Sequence, residues 1–329
     1  MLRKKVLDTI KKYNLIEQND KMICAVSGGP DSICMLDILR RIKEEKKIDF
    51  EIIVCHVNHL IREEATDDEQ YVENYCSKYQ IPFFSKKIDV KRLAEQNKQG
   101  TEEAGRNARY EFFEEIYRKE NATKIAIAHN KNDKIETIIM NVFRGSGISG
   151  LRGIEPIRDN KYIRPLIEIE RTEIEKYCEE NKLNPRIDKT NFINDVTRNK
   201  IRNIGIPYIK EEFNPNIINT LNRLSNVITE EDEYMKKVTI EIFNKIKITE
   251  EEGLIVLDLK KFNIQDEAIR KRLILYTIFK TIGNTQNIEK INIEDIIKLC
   301  SNNIGNKYLT PNKNIKISVG KGKVIFEKI

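Results

Sequence analysis

Between Lys21 and Ile42 the chain runs a short apolar stretch, a tight glycine turn and an amphipathic helix, and this unit restricts the fold most. Met22 to Val26 suits a buried parallel strand. Ile33, Leu36, Leu39 and Ile42 then recur at helical spacing, with Met35 and Ile38 widening the apolar face. The junction reads Ser27-Gly28-Gly29-Pro30-Asp31-Ser32. Two glycines let backbone N–H groups converge on a ligand without interference from Cβ atoms. A helix dipole contributes only about 0.3–1 kcal/mol to anion binding. Affinity for phosphate therefore needs several converging amides and the Ser27 and Ser32 hydroxyls. No Gly-Lys-Ser/Thr follows, so a lysine grip on a γ-phosphate is excluded. What remains suits pyrophosphate, with Asp31 placed to hold Mg²⁺, and points to cleavage of ATP between its α- and β-phosphates. The plain alternative is an ordinary strand-to-helix turn, where Ser, Gly and Asp are common.

Strand-like runs at Met22–Val26, Ile52–Val57 and Lys124–Ala128 alternate with helical segments at 31–44, 66–79, 101–119 and 131–144. This alternation predicts an α/β fold: a parallel sheet with helices on both faces, its ligand beyond the carboxyl ends of the strands. All three histidines, His56, His59 and His129, fall at those ends. Their spacing lacks the thiolates of a structural zinc site, which leaves nucleotide or substrate contact, or bonding to loop backbone. Prolines and asparagines from Ile206 to Pro215 mark a boundary, giving a catalytic domain over 1–210 and a smaller, mainly helical domain over 211–329. That second part opens on a long helix interrupted near Glu230–Glu233 and ends in a hairpin around Gly320-Lys321-Gly322. The tail from Asn306 carries six lysines and one glutamate, a solvated edge or a contact for a phosphate backbone.

At 329 residues, 40% hydrophobic and 33% charged, the chain can bury a full core, and no window approaches the eighteen uninterrupted apolar residues of a membrane span. The charged start lacks the apolar core of a signal peptide, so a cytoplasmic protein is expected. A net charge of +6 permits a nucleic-acid partner without demanding one. The six cysteines form no CxxC pair, against both a disulfide framework and an iron–sulfur cluster. Gly145-Ser146-Gly147-Ile148-Ser149-Gly150 spells GxGxxG, but a helix precedes it where a dinucleotide site requires a strand. It reads instead as a loop at the site's mouth, with Gly145 stopping the helix.

Arg106 and Arg109 share one helix face, as do Asp133 and Glu136 on the next. Alone, each pair is an ordinary solvated face; at the ligand end of the sheet the pairs gain meaning. Arginine suits phosphate neutralisation, and carboxylates suit Mg²⁺ or an amine that must lose a proton. Arg186, Lys189, Arg198, Lys200 and Arg202, among Asn191, Asn194 and Asn199, form a basic, amide-rich run able to cover a nucleotide or touch RNA.

Taken in order, these segments resemble the tRNA(Ile)-lysidine synthase family of the N-type ATP pyrophosphatase (PP-loop) superfamily. The resemblance rests on Ser27 to Ser32, His56-Val57-Asn58-His59 with Arg62, and Arg106-Asn107-Ala108-Arg109-Tyr110. It continues through Ala128-His129 with Asp133 and Glu136-Thr137, Arg144 to Leu151, Arg164-Pro165-Leu166, Arg171 with Glu173-Ile174, and Arg198-Asn199 with Arg202. The resemblance implies a PP-loop, adenine nucleotide alpha hydrolase-like domain and a ligase forming a carbon–nitrogen bond. ATP would adenylylate C2 of the wobble cytidine in the CAU anticodon of tRNA-Ile, and the ε-amine of L-lysine would displace AMP. Carried over, Ser27, Gly28, Gly29, Pro30, Asp31, Ser32, His56 and Arg106 would bind the nucleotide, and Asp31 the Mg²⁺. Asp31, Arg109, Asp133, Glu136 and Arg202 would be catalytic, with Arg202 or Arg198 closing over the centre. Partners would be tRNA-Ile and L-lysine but no membrane, with a homodimer left open.

Two departures stand out. Leu60-Ile61-Arg62 replaces the family's Gly-Leu-Arg, and His129-Asn130-Lys131-Asn132-Asp133 replaces its His-His-x-Asp-Asp, so Asn130 and Asn132 receive no catalytic role. The alternatives are a tRNA thiolase, for which the CxxC pairs are missing, a small-molecule adenylating ligase, and a non-catalytic RNA-binding protein on the same scaffold.

Overall fold

A computed structural model describes residues 1–60, 65–186, 197–302 and 307–329. The chain divides into two compact units, Met1–Asn226 and Val227–Ile329.

The first unit runs α1 (Leu2–Lys12), β1 (Asp20–Ala25), α2 (Pro30–Glu44), β2 (Phe50–Asn58), α3 (Ala65–Lys78), β3 (Phe83–Lys87), α4 (Val90–Asn97), α5 (Thr101–Lys119), β4 (Lys124–Ile127), α6 (Lys131–Phe143), β5 (Ile157–Arg158), β6 (Tyr162–Ile163), α7 (Arg171–Glu180), α8 (Thr197–Lys200), α9 (Ile206–Glu212) and the start of α10 (Ile217–Ile246). Its strands form one sheet in the order β3-β2-β1-β4-β6-β5, parallel except for the β5–β6 pair. Period-two alternation explains the layering. Met22, Cys24, Ile52 and Val54 face a core that includes Ile33 and Leu36 of α2 and Ile174 of α7. Their neighbours Ile23, Ile53 and Cys55 face Phe112, Phe113 and Ile116 of α5. Both faces are thus covered, which is why these strands read as unbroken apolar runs. The chain leaves β1 toward β2 on one side and pairs it with β4 on the other, and such a switch point is where open α/β sheets bind ligands.

The sequence boundary at 210/211 lies earlier than the division at Asn226. Ile201, Ile206 and Ile218 pack on Ile135, Ile138 and Ile139 of α6, and the buried Lys134 ammonium donates to Asn222 Oδ1 (2.9 Å) and Asn226 Oδ1 (3.1 Å). These contacts hold α9 and the opening turns of α10 to the first unit.

The second unit continues α10 and adds β7 (Lys247–Glu251), β8 (Leu254–Asp258), α11 (Leu259–Asn263), α12 (Glu267–Ile282), α13 (Lys290–Asn302), β9 (Lys307–Asn312), β10 (Ile315–Gly320) and β11 (Lys323–Lys328). The expected interruption near Glu230–Glu233 is absent: α10 runs through it, and Asp232 is tied to Arg272 at 2.7 Å. The terminal hairpin forms as expected, turning at Lys321 and Gly322, both with positive φ. It belongs to a five-stranded antiparallel sheet, β7-β8-β11-β10-β9, whose β7 and β9 the sequence did not announce. Among the described residues no helix is long and apolar enough to cross a membrane.

Candidate active site

The phosphate loop follows β1 directly. Gly28 adopts φ +91°, a conformation that L side chains rarely take, and its carbonyl accepts from the Arg186 amide at 3.0 Å. Gly29 caps α2, Pro30 opens the helix with its missing N–H and preset φ, and Ser32 Oγ donates back to Gly29 O at 3.0 Å. Within the loop, Ser27 N donates to Ser32 Oγ (3.2 Å) and Gly29 N makes a long contact to Ser27 Oγ (3.5 Å). Two of the loop's amides are thus satisfied within the loop itself. Among the described residues the Gly28, Asp31 and Ser32 amides have no partner, and these are the donors available to an anion.

Asp31 lies in the first turn of α2. Asn130 Nδ2 donates to its Oδ1 at 2.8 Å, the one hydrogen bond the carboxylate makes among the described residues. Burial, and then the neighbouring Asp133 charge, push its pKa up to about 6. A carboxylate so destabilised, beside a phosphate-binding turn, fits the habit of Mg²⁺, which takes one or two carboxylates and completes its shell with phosphate oxygens and water.

Asn130 caps α6 in a reciprocal box: its Oδ1 accepts from Asp133 N (3.0 Å), and Asp133 Oδ2 accepts from Asn130 N (2.9 Å). Asp133 Oδ1 then receives both Arg198 (3.0 Å) and Arg202 (2.9 Å). One turn on, Glu136 accepts from Arg198 Nε at 2.8 Å and from Arg202 Nε at 2.6 Å. The Glu136 side chain is 1% exposed, against 28% for Arg198 and 21% for Arg202. Burial works against the Arg202 charge, but Glu136 and Asp133 raise its pKa above the usual arginine value. Arg202 stands on a π-helical stretch, Ile201–Gly205, a local irregularity that recurs at functional sites.

The histidines mark the strand ends as expected. His56 Nδ1–H donates to Val26 O at 2.9 Å, and its buried Nε2 has no partner among the described residues. His59 packs over Gly105 of α5, and burial followed by the Arg109 charge lowers its pKa to about 4. His129 accepts from Arg164 Nε at 3.2 Å through Nδ1, and burial followed by the charges of Arg164, Arg198, Arg106 and Arg109 lowers it to about 3. Arginines therefore converge on His129 from three directions. Arg109 stands nearest His59, whereas Arg106 lies over the Tyr110 ring at 5.5 Å and lines an open groove of about 930 Å³ with Arg158 and Tyr162.

Three contributors were not assigned roles in the sequence. Asn130 was set aside as a departure, and Arg164 as a motif without a task. Asp37, wholly buried on α2, holds Arg40 (2.7 Å), Arg41 (2.8 Å), Tyr75 (2.8 Å) and Tyr177 (2.7 Å), which anchors the helix behind the phosphate loop. Arg186, expected to cover a nucleotide, pairs with Asp67 and Asp68 at 3.2 Å and supports the loop through its backbone. The GxGxxG stretch follows α6, with Gly145 at φ +71° after the helix. Arg62, Lys189, Asn191 and Asn194 lie outside the described residues.

Comparisons with known proteins bear on the family and the fold. A family model described as a PP-loop domain matches residues 2–209. The tRNA(Ile)-lysidine synthase of Clostridium acetobutylicum is 46% identical over 93% of this chain and 66% of its own length. That of Clostridioides difficile is 43% identical over 99% of this chain and 70% of its own. The chain thus spans about two thirds of the length of such relatives. Among solved structures, the U34-tRNA thiolase NcsA from Methanococcus maripaludis superposes with a TM-score of 0.58 at 20% identity, over 69% of this chain and 77% of that one, a likeness of fold.

Proposed function

Because the chain belongs to the tRNA(Ile)-lysidine synthase family and carries its PP-loop domain, we propose that it ligates L-lysine to C2 of the wobble cytidine of a CAU-anticodon tRNA-Ile at the expense of ATP. One observation carries this reading. The unpartnered amides of the phosphate loop and the Asp133–Glu136–Arg198–Arg202 cluster are joined through Asp31 and Asn130, so a phosphate grip and a charged reaction centre form one site.

The loop amides and the Ser27 and Ser32 hydroxyls bind the diphosphate that leaves, and Asp31 holds Mg²⁺, which supplies charge neutralisation on the phosphates when bound. His56 offers the nucleotide its Nε2, which has no partner among the described residues, and Arg106, whose charge acts on His129, adds positive potential on the α5 side. Arg109, Arg198 and Arg202 stabilise the charge that builds on the α-phosphate as the cytidine O2 attacks. Once O2 carries AMP, C2 is open to a nitrogen nucleophile. Lysine's ε-ammonium, with a free pKa near 10.4, must lose a proton to act. Glu136 and Asp133 attract that cation and accept the proton, after the arginines turn to the nucleotide's phosphates. The ε-nitrogen then bonds C2 as the C2–O bond to AMP breaks.

The six cysteines are all buried and free, which gives the thiolase alternative no sulfur chemistry at this site. The test is incubation with ATP, Mg²⁺, labelled lysine and unmodified tRNA-Ile. Label entering the RNA only when position 34 is cytidine supports the proposal; ATP hydrolysis or binding without label in RNA refutes it.

A further inference from the structure

We propose that Asn130 is a positioning residue: its one side-chain amide ties the Asp31 carboxylate of the phosphate loop to the Asp133 backbone N–H in the first turn of α6, so that diphosphate grip and reaction centre keep a common register. This rests on the function proposed above and gives it a specific internal linkage.

The geometry is reciprocal. Asn130 is buried, and its Nδ2 donates to Asp31 Oδ1 (2.8 Å) while its Oδ1 accepts from Asp133 N (3.0 Å). The backbone returns the contact, Asn130 N donating to Asp133 Oδ2 (2.9 Å). Asp133 spends its other oxygen on Arg198 and Arg202. A single path of hydrogen bonds thus runs from the first turn of α2, across the sheet's switch point, to the arginines of the π-helical stretch. An aspartate at 130 would cap α6 equally well but would set a carboxylate against Asp31 with no donor between them. A serine would cap but is too short to reach across. Helix capping alone accepts either residue; the bridge to Asp31 requires a side chain with both a donor and an acceptor.

That difference separates a bridge from a cap. We expect Asn130→Ser to keep an unfolding midpoint close to the original and Asn130→Asp, with a second buried carboxylate against Asp31, to lower it; both should lose about 10- to 100-fold in kcat for tRNA-dependent AMP formation, as removal of a supporting partner commonly does. The KM for tRNA should stay unchanged. Asn130→His, with one ring nitrogen to accept and one to donate, should recover most of the loss. In an Asp31→Asn background, Asn130→Ser should not weaken MgATP binding further, because the partner it serves is already altered. If Asn130→Ser lowers the midpoint, the recovery by Asn130→His carries the test. Unchanged kcat and MgATP affinity in the folded variants, or an equal effect of Asn130→Ser in both backgrounds, overturns the inference. If the unsubstituted chain forms no AMP with tRNA, the proposed function fails by itself. MgATP affinity then decides on Asn130, a drop of about tenfold supporting the bridge and equal affinity refuting it.

Discussion

Glu136→Gln puts the carboxylate–arginine cluster to a quantitative test. The substitution keeps shape and one acceptor oxygen, but turns an NH₂ group toward the guanidinium N–H donors of Arg198 and Arg202, which now meet the Glu136 carboxylate at 2.6–2.8 Å. Removing one partner of a buried ion pair costs about 3–5 kcal/mol. Two features pull this case to the lower end: Asp133 still holds both guanidiniums, and each arginine is partly exposed, so some charge retreats to water. We therefore expect about 3 kcal/mol, which for a unit of this size corresponds to a fall of roughly 6–12 °C in midpoint. Urea denaturation followed by far-UV circular dichroism at neutral pH, at low and high salt, measures it. A buried pair should give nearly the same loss at both salt concentrations. A loss below about 0.5 kcal/mol, or one that vanishes in salt, would show that the cluster is a solvated surface pair and refute the reasoning.

Gly28→Ala places a Cβ in open contact, 3.6 Å from Asp68 O, so its cost is torsional, about 1–3 kcal/mol, together with weaker MgATP binding; titration calorimetry and a melt check both. His129 is neutral in the fold down to about pH 3, whereas the unfolded chain takes up its proton near 6.5. Its contribution is therefore complete above the unfolded value and is lost as pH falls toward the folded one. His129→Gln should flatten that acid loss between about pH 7 and about pH 4.5, and identical urea midpoint changes in both proteins would contradict it. Asp37→Asn should destabilise by about 3–5 kcal/mol, because two arginines and two tyrosine hydroxyls lose their shared acceptor; a loss under about 1 kcal/mol in urea would contradict this.

Local pattern made β1, β2 and β4, the loop and the long helices legible. Met22–Val26 and Ile52–Val57 are apolar because both sheet faces are covered, and Gly28 signals a turn that L side chains rarely make. The i, i+3 spacing of Asp133 and Glu136 placed both on one face of α6, where they stand. What the sequence hid was long-range pairing. Nothing local says that Arg198 and Arg202 return across more than sixty residues to those carboxylates. Asn130 looked like the loss of a motif residue, yet an amide that donates and accepts fills the place between two aspartates. The boundary read at 210/211 differs from the division at Asn226 because prolines mark where a helix breaks, whereas the compact unit ends where packing ends. Edge strands such as β3 and β9 escaped for a similar reason: half-exposed and lysine-bearing, they carry too weak an alternation.

The most direct measurement follows the α-phosphate. With α-labelled ATP, Mg²⁺ and unmodified CAU-anticodon tRNA-Ile, but no lysine, the label should move onto the RNA as AMP and be released when unlabelled lysine is added. Label that stays in free nucleotide, or that reaches the RNA and resists lysine, would contradict the adenylylated intermediate on which the account depends.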